Sequence, residues 1–243
     1  MSQTRYIPLV LIGILLAVFA GVALYLRIGF AHDQVFVGDQ VQFTETDAYY
    51  HMRLVDNLLH HFPTRITFDP YTYYPHGAPV PWPPFFDWLV AGIAWIFGMG
   101  SPTQHTAEVI GAWLPAILGA LAVIPVYFVG KVLFNRWVGV IAAGLIAVHP
   151  GGFLTYSTLG FCDHHVAEVL FSTLTMLFLI LSLKHARLRQ LTFTDMRRPK
   201  PAILGKPLLY SLLAGLFFGI YLLTWVGGLL LLFILFIYFQ FNR

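Results

Sequence analysis

Long apolar runs constrain this chain more than any other feature of its sequence. Residues 7–26 carry no charge, and a helix of that length, rising about 1.5 Å per residue, crosses a hydrocarbon core of about 30 Å. Further apolar runs occupy residues 85–99, 106–130, 137–154, 166–183, 208–223 and 226–241. Hydrophobic residues make up 58% of the 243 residues and charged residues 10%, which leaves too few polar side chains to cover a soluble core. The sequence therefore predicts an all-α, polytopic membrane protein.

The first apolar run could in principle belong to a signal peptide. It is longer than the apolar region of such a peptide, and no clear small-x-small cleavage site precedes Arg27. We therefore expect residues 7–26 to be a retained membrane helix.

The distribution of charge predicts which runs cross the membrane. If all seven crossed, basic loops would fall on the side that lysine and arginine avoid. Residues 85–99 are short and carry Asp87 near their start, so we expect them to lie in the membrane plane or to re-enter it. Of the fourteen basic residues, only Arg27, Arg53 and Arg65 then lie on the external side of the membrane. The predicted spans are residues 7–28, 106–130, 137–155, 165–184, 207–223 and 225–241, with an external loop at 29–105 containing interfacial helices and a cytoplasmic loop at 185–206.

A first polar cluster, TETDAYYHMRLVDNLLHHF, covers residues 44–62. Its apolar side chains recur at helical spacing, which indicates an amphipathic helix on the bilayer surface with Thr46 or Asp47 as its cap. The side chains expected to face outward are Arg53, Asp56 and His60. From the pattern alone, Asp47 is as compatible with a simple cap as with a catalytic or metal-binding role.

A second polar cluster, GFCDHHVAEV, covers residues 160–169 and shares the predicted external face. At a helix start, Asp163 and His165 can point at one ion, and a carboxylate with an imidazole suits Mn²⁺ somewhat better than Mg²⁺. The alternative is that Asp163 caps the following helix while the histidines lie among lipid headgroups. Glu168 and Glu108, each one turn inside a span, are candidates for supporting a site or for interfacial anchoring.

The segment FDPYTYYPHGAPVPWPPFFDW, residues 68–88, carries six prolines and cannot form a regular helix or a central strand. Its aromatic residues suit binding and membrane anchoring equally well. The single cysteine, Cys162, excludes an intramolecular disulfide and a cysteine-rich zinc site. The sequence has no phosphate loop, dinucleotide fingerprint or nucleophile elbow.

Four motifs in order, ETDAYYHMR, FDPYTYYPHGAPVPWPPFFD, TLGFCDHHVAEV and YLLTWVGG, make the chain resemble the catalytic subunit of oligosaccharyltransferase, especially its archaeal and related bacterial single-subunit forms. The resemblance covers essentially the whole chain and implies a GT-C-type helical bundle. It implies transfer of an oligosaccharide from a polyprenyl phosphate or diphosphate carrier to asparagine in Asn-x-Ser/Thr. The expected partners are this lipid-linked donor, an acceptor polypeptide and membrane lipids, without nucleic acid, and the expected location is the outer face of the plasma membrane.

The resemblance also implies roles for particular residues. Asp47 matches the acid that binds the metal and contacts the acceptor amide, and Asp163 with His165 matches the second metal-binding motif. The implied cofactor is Mn²⁺ or Mg²⁺. Tyr156 departs from the pattern, since family members often carry arginine there. Residues that could support the ligands or contact substrate are Glu45, His51, Arg53, His164, Glu168 and Trp82.

The resemblance further leads us to expect an N-terminal portion that lacks a C-terminal soluble domain and is inactive alone, either as a fragment or as a truncated product. Two other functions remain open from the sequence. One is a different GT-C transferase that uses a polyprenyl-phosphate sugar and acts on protein hydroxyls or lipids. The other is a non-catalytic, ion-binding transporter or assembly protein.

Overall fold

The computed structural model describes residues 3–191, 195 and 205–241, with side chains from residue 8 onward. The helices are α1 (Gln3–Ile28), α2 (His32–Val35), α3 (Thr46–His60), α4 (Phe85–Phe97), α5 (Gln104–Leu121), α6 (Val123–Leu133), α7 (Arg136–Val148), α8 (Gly152–Thr155), α9 (His165–Leu188), α10 (Lys206–Thr224) and α11 (Gly228–Phe241). Two short antiparallel hairpins pair β1 (Phe36–Val37) with β2 (Gln40–Val41), and β3 (Phe68–Asp69) with β4 (Ala78–Pro79). The expectation of an all-α protein is confirmed.

Four helical segments are long and apolar enough to cross a membrane, namely Pro8–Val35, Gln104–Leu133, His165–Leu188 and Lys206–Thr224. Helices α4, α7 and α11 are apolar but have only 13, 13 and 14 residues. At about 1.5 Å per residue, each rises only about 20 Å, less than a hydrocarbon core of about 30 Å. The chain is thus a membrane protein, while the full set of six spans stays a prediction.

Proline and glycine end α7 earlier than we expected. The span predicted for residues 137–155 is helical only to Val148, and His149, which precedes Pro150, has left the helical region with ψ at 115°. A residue before proline is disfavoured in the helical conformation because its backbone clashes with the proline ring. Gly151 follows with φ at +121°, and the short helix α8 begins after it.

One compact unit contains the described residues of three segments, Met1–Ala23, Ala120–His149 and Val169–Tyr221. Within it, glycines let α6 and α7 approach closely, because a Cβ on Gly139 would lie 2.5 Å from the carbonyl oxygen of Tyr127. Small residues are typical of helix contacts in membranes for this reason. Between α9 and α10, the hydroxyl oxygens of Ser182 and Ser211 lie 2.7 Å apart. Close backbone approach and polar pairing both stabilise this unit.

The second compact unit contains Leu24–Gly119, Pro150–Glu168 and Leu222–Arg243, again for their described residues. Here α3 packs against α4 through apolar side chains that are fully buried, including Leu54, Leu58 and Phe86. Burial of each contributes about 1.5–3 kcal/mol. This confirms the helical spacing of apolar residues predicted for α3, while the placement of α3 on the bilayer surface stays a prediction. Every candidate site residue of the sequence analysis lies in this unit.

Two glycines of this unit hold the segment before α9 against its neighbours. A Cβ on Gly111 of α5 would lie 2.6 Å from Met52 Sδ and 3.1 Å from Cys162 Sγ, so only glycine permits the observed approach. Gly160 has φ at +82°, donates its N–H to the Ala112 carbonyl at 2.9 Å and accepts from the Thr44 N–H at 3.2 Å. These contacts bring the backbone before Asp163 next to the start of α3.

Arg27, predicted to lie on the external side of the membrane, is only 1% exposed. Its Nε donates to Ser157 Oγ at 2.8 Å, and its guanidinium lies 5.1 Å from the centre of the Phe153 ring. A buried arginine is tolerated where hydrogen bonds and aromatic faces replace water. Arg27 therefore joins the end of α1 to the loop that precedes the second polar cluster.

Candidate metal centre

The N-cap of α3 is Glu45, whose carboxylate accepts from the Thr46 N–H at 3.2 Å. The sequence-based assignment of this cap to Thr46 or Asp47 is therefore wrong, because the helix already includes both residues. Asp47 is the second residue of α3, and it is exposed to solvent. The helix dipole stabilises its negative charge there without Asp47 acting as the N-cap.

His51 lies one turn after Asp47 but is fully buried, with 0% exposure. Its Nδ1 donates to Asp87 Oδ1 at 2.6 Å, and its Nε2 donates to Asp163 Oδ1 at 3.1 Å. Burial alone would lower the pKa of His51, but hydrogen bonds and charge from Asp163 and Asp87 raise it to about 9. Both ring nitrogens thus face carboxylate oxygens, an arrangement that favours the protonated ring.

Asp87 connects His51 to a further charge. It belongs to the first turn of α4 and is 0% exposed. Arg65 Nε lies 2.6 Å from Asp87 Oδ2, and the Arg65 side chain is 8% exposed. The Arg65 Nη1 donates to the Trp82 carbonyl at 3.0 Å. Each buried charge thus faces an opposite one, which is the condition under which proteins tolerate buried ions.

Asp163 is 2% exposed, and its Oδ1 is surrounded by donors. It accepts from the His164 backbone N–H at 2.5 Å and lies 2.5 Å from His164 Nδ1, in addition to its bond from His51. Burial alone would raise the pKa of Asp163, but the hydrogen bonds and charges of His164 and His51 hold it well below its usual range. The carboxylate is therefore ionised at neutral pH.

The alternative in which the histidines of this cluster lie in headgroups fails for His164, which is 4% exposed. His165, the first residue of α9, is half-buried. Its Nε2 lies 3.4 Å from Asp163 Oδ2, and its Nδ1 lies 3.5 Å from Glu168 Oε2. Glu168 is thus placed to orient the His165 ring rather than to act only as an interfacial anchor.

The distances within this cluster can be compared with the spacing of two ligands on one ion. Two atoms that bind one ion at about 2.1 Å, with an angle of 90–110° between them, lie about 3.0–3.5 Å apart. The Asp163 Oδ2 to His165 Nε2 distance of 3.4 Å falls in that range. The His51 Nε2 to Asp163 Oδ1 distance of 3.1 Å also falls in it, whereas the 2.5 Å contact of His164 Nδ1 with Asp163 and the 2.6 Å contact of His51 Nδ1 with Asp87 are shorter.

Among the described residues, two groups of three have ligand atoms within 4.8 Å of one another: His51 with Asp163 and His164, and His164 with His165 and Glu168. Asp47 belongs to neither group, although it is close enough to His165 for a direct charge interaction. The structure therefore brings Asp163 and His165 together and places Asp47 beside them at a longer distance.

Two other candidates from the sequence analysis differ in their surroundings. The Trp82 ring packs against the His51 ring with centroids 5.0 Å apart, so Trp82 covers the buried histidine. Arg53 lies in a separate cluster, where its Nη2 donates to Asp69 Oδ1 at 2.8 Å and its guanidinium stacks on Tyr71.

Asp69, the partner of Arg53, is 0% exposed. It also accepts from the Tyr71 N–H at 2.9 Å and from Thr72 Oγ1 at 3.1 Å. Burial alone would raise the pKa of Asp69, but these hydrogen bonds and the charge of Arg53 lower it. This further buried acid, in addition to Asp87 and Asp163, stabilises the proline-rich loop and is absent from both groups of possible metal ligands.

Sequence reasoning missed Asp87 and Arg65 as parts of the site. Asp87 was interpreted as a sign of an interfacial helix, and Arg65 as an outward-facing basic residue. One signal could have identified Asp87, since an acid in the first turn of an otherwise apolar segment needs a partner if it is buried. Its distance in sequence from His51, 36 residues, gave no indication of which partner.

Comparison with known proteins places this geometry in a family. Residues 10–241 match the family model described as oligosaccharyl transferase STT3, N-terminal. A curated relative, dolichyl-phosphooligosaccharide-protein glycotransferase 3 of Archaeoglobus fulgidus, is 36% identical over 187 residues. That match covers 76% of this chain but 20% of the relative, so the chain spans about a fifth of the length of that protein.

Solved structures agree with the family match. The archaeal oligosaccharyltransferase AglB from A. fulgidus, in complex with an inhibitory peptide and a dolichol-phosphate, is 32% identical with a TM-score of 0.81, covering 94% of this chain and 25% of that one. An A. fulgidus oligosaccharyltransferase in complex with Zn and sulfate is 34% identical with a TM-score of 0.76, covering 88% and 25%. Another, tethered to an acceptor peptide containing the NVT sequon, is 32% identical with a TM-score of 0.81, covering 93% and 26%.

Proposed function

Because the chain belongs to the oligosaccharyl transferase STT3 family, as its N-terminal part, we propose that it contributes the metal-binding half of an active site for protein N-glycosylation. The reaction moves an oligosaccharide from a polyprenyl phosphate or diphosphate to the side-chain amide of asparagine in Asn-x-Ser/Thr. The site faces the outside of the plasma membrane. The observation that carries the proposal is the pairing of Asp163 Oδ2 with His165 Nε2 at 3.4 Å, beside the exposed Asp47.

The residues present fit a divalent ion. Asp163 and His165 would hold it, with Asp47 as a third ligand from the start of α3, and the ion would stabilise the negative charge that develops on the leaving phosphate. A mixed oxygen and nitrogen donor set suits Mn²⁺ better than Mg²⁺, which prefers oxygen ligands alone. The A. fulgidus structure in complex with Zn is consistent with a divalent ion in a relative.

Asp47 has a second role in this proposal. An exposed carboxylate at a helix start can accept an N–H hydrogen bond from the acceptor amide and so orient its nitrogen toward the sugar. The new bond joins that nitrogen to the anomeric carbon, the bond from this carbon to the carrier's phosphate oxygen breaks with its electron pair remaining on the phosphate, and the amide gives up one proton to the Asp47 carboxylate. Orientation is valuable here because an amide nitrogen is a poor nucleophile.

The complexes of related structures support two binding partners for this chain. The A. fulgidus complexes contain a dolichol-phosphate in one case and an acceptor peptide with the NVT sequon in another. We infer a lipid-linked oligosaccharide and a sequon-bearing polypeptide for this chain as well. Four apolar helices long enough to cross a membrane would keep the site at the depth where a polyprenyl carrier presents its phosphate.

A chimera tests the proposal. Residues 10–241 replace the matching part of A. fulgidus AglB, and transfer is measured with a lipid-linked oligosaccharide and a peptide containing Asn-Val-Thr. We expect glycosylated peptide, loss of product with Asp163→Ala or His165→Ala, and no product when the peptide's Thr is changed to Ala. Asp33→Ala is the matched control, since Asp33 is a fully exposed acid outside both groups of possible metal ligands.

Other outcomes would contradict the proposal in distinct ways. Product on serine or threonine hydroxyls or on lipid would favour a different polyprenyl-phosphate-sugar transferase. Mn²⁺ binding that depends on Asp163 and His165, without transfer to any acceptor, would favour a non-catalytic ion-binding protein. Unchanged transfer in both variants would remove these residues from the reaction.

A further inference from the structure

Three buried side chains form a chain of contacts that reaches Asp163 at Oδ1, whereas His165 faces Oδ2. We propose that Arg65, Asp87 and His51, here called the Arg65–Asp87–His51 relay, act as positioning residues that turn Asp163 Oδ1 into the protein and leave Oδ2 for the metal ion. The inference rests on the metal site of the proposed function and adds to it residues that touch neither the ion nor the substrates.

The two oxygens of Asp163 have different surroundings. Oδ1 accepts hydrogen bonds from His51 Nε2 at 3.1 Å and from the His164 backbone N–H at 2.5 Å, and His164 Nδ1 lies 2.5 Å from it. Oδ2 has His165 Nε2 at 3.4 Å, a separation that suits two ligands of one ion better than a hydrogen bond. A carboxylate oxygen has about two lone-pair directions, so Oδ1 is fully occupied by these donors. Asp163 is therefore a single-oxygen ligand through Oδ2.

The contacts of the relay keep the Asp163 carboxylate in this orientation. Asp87 Oδ1 accepts from His51 Nδ1 at 2.6 Å, which fixes the plane of the imidazole and aims its Nε2 at Asp163. Arg65 Nε lies 2.6 Å from Asp87 Oδ2 as an ion pair without hydrogen-bond geometry, so its charge attracts Asp87. Rotating Asp163 would leave buried polar groups without hydrogen-bond partners, which is unfavourable because water cannot replace those partners in the interior.

The relay joins three segments that the metal site needs in register. His51 belongs to α3, Asp87 to α4 and Arg65 to the loop between them, while Asp163 lies just before α9. Asp47 precedes His51 by one turn on the same helix, so a His51 ring anchored at both ends also limits how far Asp47 can move relative to Asp163. Substituting a residue that hydrogen-bonds to a metal ligand, without touching the metal itself, typically lowers metal affinity by about 10- to 100-fold.

The affinity of the purified chain for Mn²⁺ tests the relay. Free Mn²⁺ is followed by electron paramagnetic resonance during titration of the detergent-solubilised chain. Asp87→Asn is expected to weaken binding about 10-fold or more. Asp69→Asn is the matched control, because Asp69 is equally buried, is also paired with an arginine and lies in the same compact unit, yet does not face Asp163. Asp69→Asn should lower the unfolding temperature without changing Mn²⁺ affinity.

Two variants of His51 separate positioning from packing and serve if Asp87→Asn does not fold. The amide nitrogen of glutamine can take the place of His51 Nε2 and still donate to Asp163, whereas asparagine reaches only the Nδ1 position next to Asp87. His51→Gln should therefore keep more Mn²⁺ affinity than His51→Asn. A role limited to packing predicts equal affinities for the two variants, and that result would overturn the proposal.

Asp163→Asn distinguishes failure of this inference from failure of the proposed function. If Asp163→Asn abolishes Mn²⁺ binding while Asp87→Asn and His51→Asn bind within twofold of the parent, the relay is refuted and the metal site stands. If Asp163→Asn binds Mn²⁺ like the parent, both the metal site and the relay are refuted. If Asp163→Asn loses Mn²⁺ binding and the Asp87 and His51 variants show intermediate losses of affinity, both the metal site and the relay are supported.

Discussion

Gly160→Ala should damage the protein through two separate physical effects. Gly160 has φ at +82°, a region that costs residues with a Cβ about 1–2 kcal/mol. A Cβ at this position would also lie 2.5 Å from Val35 Cγ2, and Val35 is fully buried. Because Gly160 is hydrogen-bonded to Ala112 and Thr44, the chain cannot relieve the clash by moving away freely.

The two effects can be assigned magnitudes. Backbone strain of about 1–2 kcal/mol and overpacking of about 1–3 kcal/mol sum to about 2–5 kcal/mol for Gly160→Ala. Gly151 isolates the first effect, since its φ is +121° but a Cβ there would meet nothing within 4 Å. We expect about 1–2 kcal/mol for Gly151→Ala. For a chain of this size, about 2–4 °C of unfolding temperature per kcal/mol gives a drop of about 4–20 °C for Gly160→Ala.

The assay is thermal unfolding of the detergent-solubilised chain at one scan rate, for both single variants and for Gly160→Ala combined with Val35→Ala. Removing the Val35 methyl groups relieves the clash, so the double variant should be more stable than the sum of its two single changes predicts by about 1–3 kcal/mol. Equal losses for Gly160→Ala and Gly151→Ala, or additivity in the double variant, would refute the packing argument. Mn²⁺ affinity should also fall in Gly160→Ala, because its backbone leads directly to Asp163.

Three further changes have expected outcomes. Because the pKa of Asp69 is lowered by folding, its ionised form stabilises the folded chain above the unfolded pKa near 4, and this contribution is lost as pH falls through the lower folded pKa. Asp69→Asn should therefore unfold at a lower temperature than the parent at pH 7. Its unfolding temperature should also fall less than that of the parent on acidification. An unchanged acid slope in the variant would contradict this. Gly139→Ala places a Cβ 2.5 Å from the Tyr127 carbonyl and should destabilise the α6–α7 hairpin, whereas Gly215→Ala, with nothing within 4 Å, should be neutral or stabilising by up to about 1 kcal/mol in the same unfolding assay. Asn135 caps α7 by accepting from the N–H groups of Trp137 at 2.9 Å and Val138 at 3.1 Å. Asn135→Ala should therefore lower the free energy of unfolding by about 1 kcal/mol, and Asn135→Asp should retain most of the stability of the parent. Equal unfolding temperatures for the two variants would argue against the cap.

Local patterns predicted much of the architecture because they depend on neighbouring residues alone. The apolar runs identified the four long membrane helices, and helical periodicity placed Leu54, Val55 and Leu58 on the buried face of α3. The adjacency of Asp163 and His165 was enough to suggest one shared ion, and their facing atoms do lie 3.4 Å apart.

Contacts between distant segments could not be predicted from the sequence. The charge distribution predicted only the side of the membrane for Arg27 and Arg65, and it did not indicate that they are buried, with 1% exposure and 8% side-chain exposure, respectively. Each is buried because a partner distant in sequence, Ser157 for Arg27 and Asp87 for Arg65, replaces water. No pattern within one segment contains that information.

By itself, the sequence determined that this chain enters a membrane, that it is helical, and that two polar clusters carry its chemistry, because hydrophobic length and side-chain type are properties of single segments. Only the tertiary structure decided what each polar residue does. It buried His51 between Asp87 and Asp163, which lie 36 and 112 residues away in the chain, and it left Asp47 exposed. The physical reason is that desolvation, charge pairing and ligand spacing depend on which atoms meet in space, and folding alone brings those atoms together.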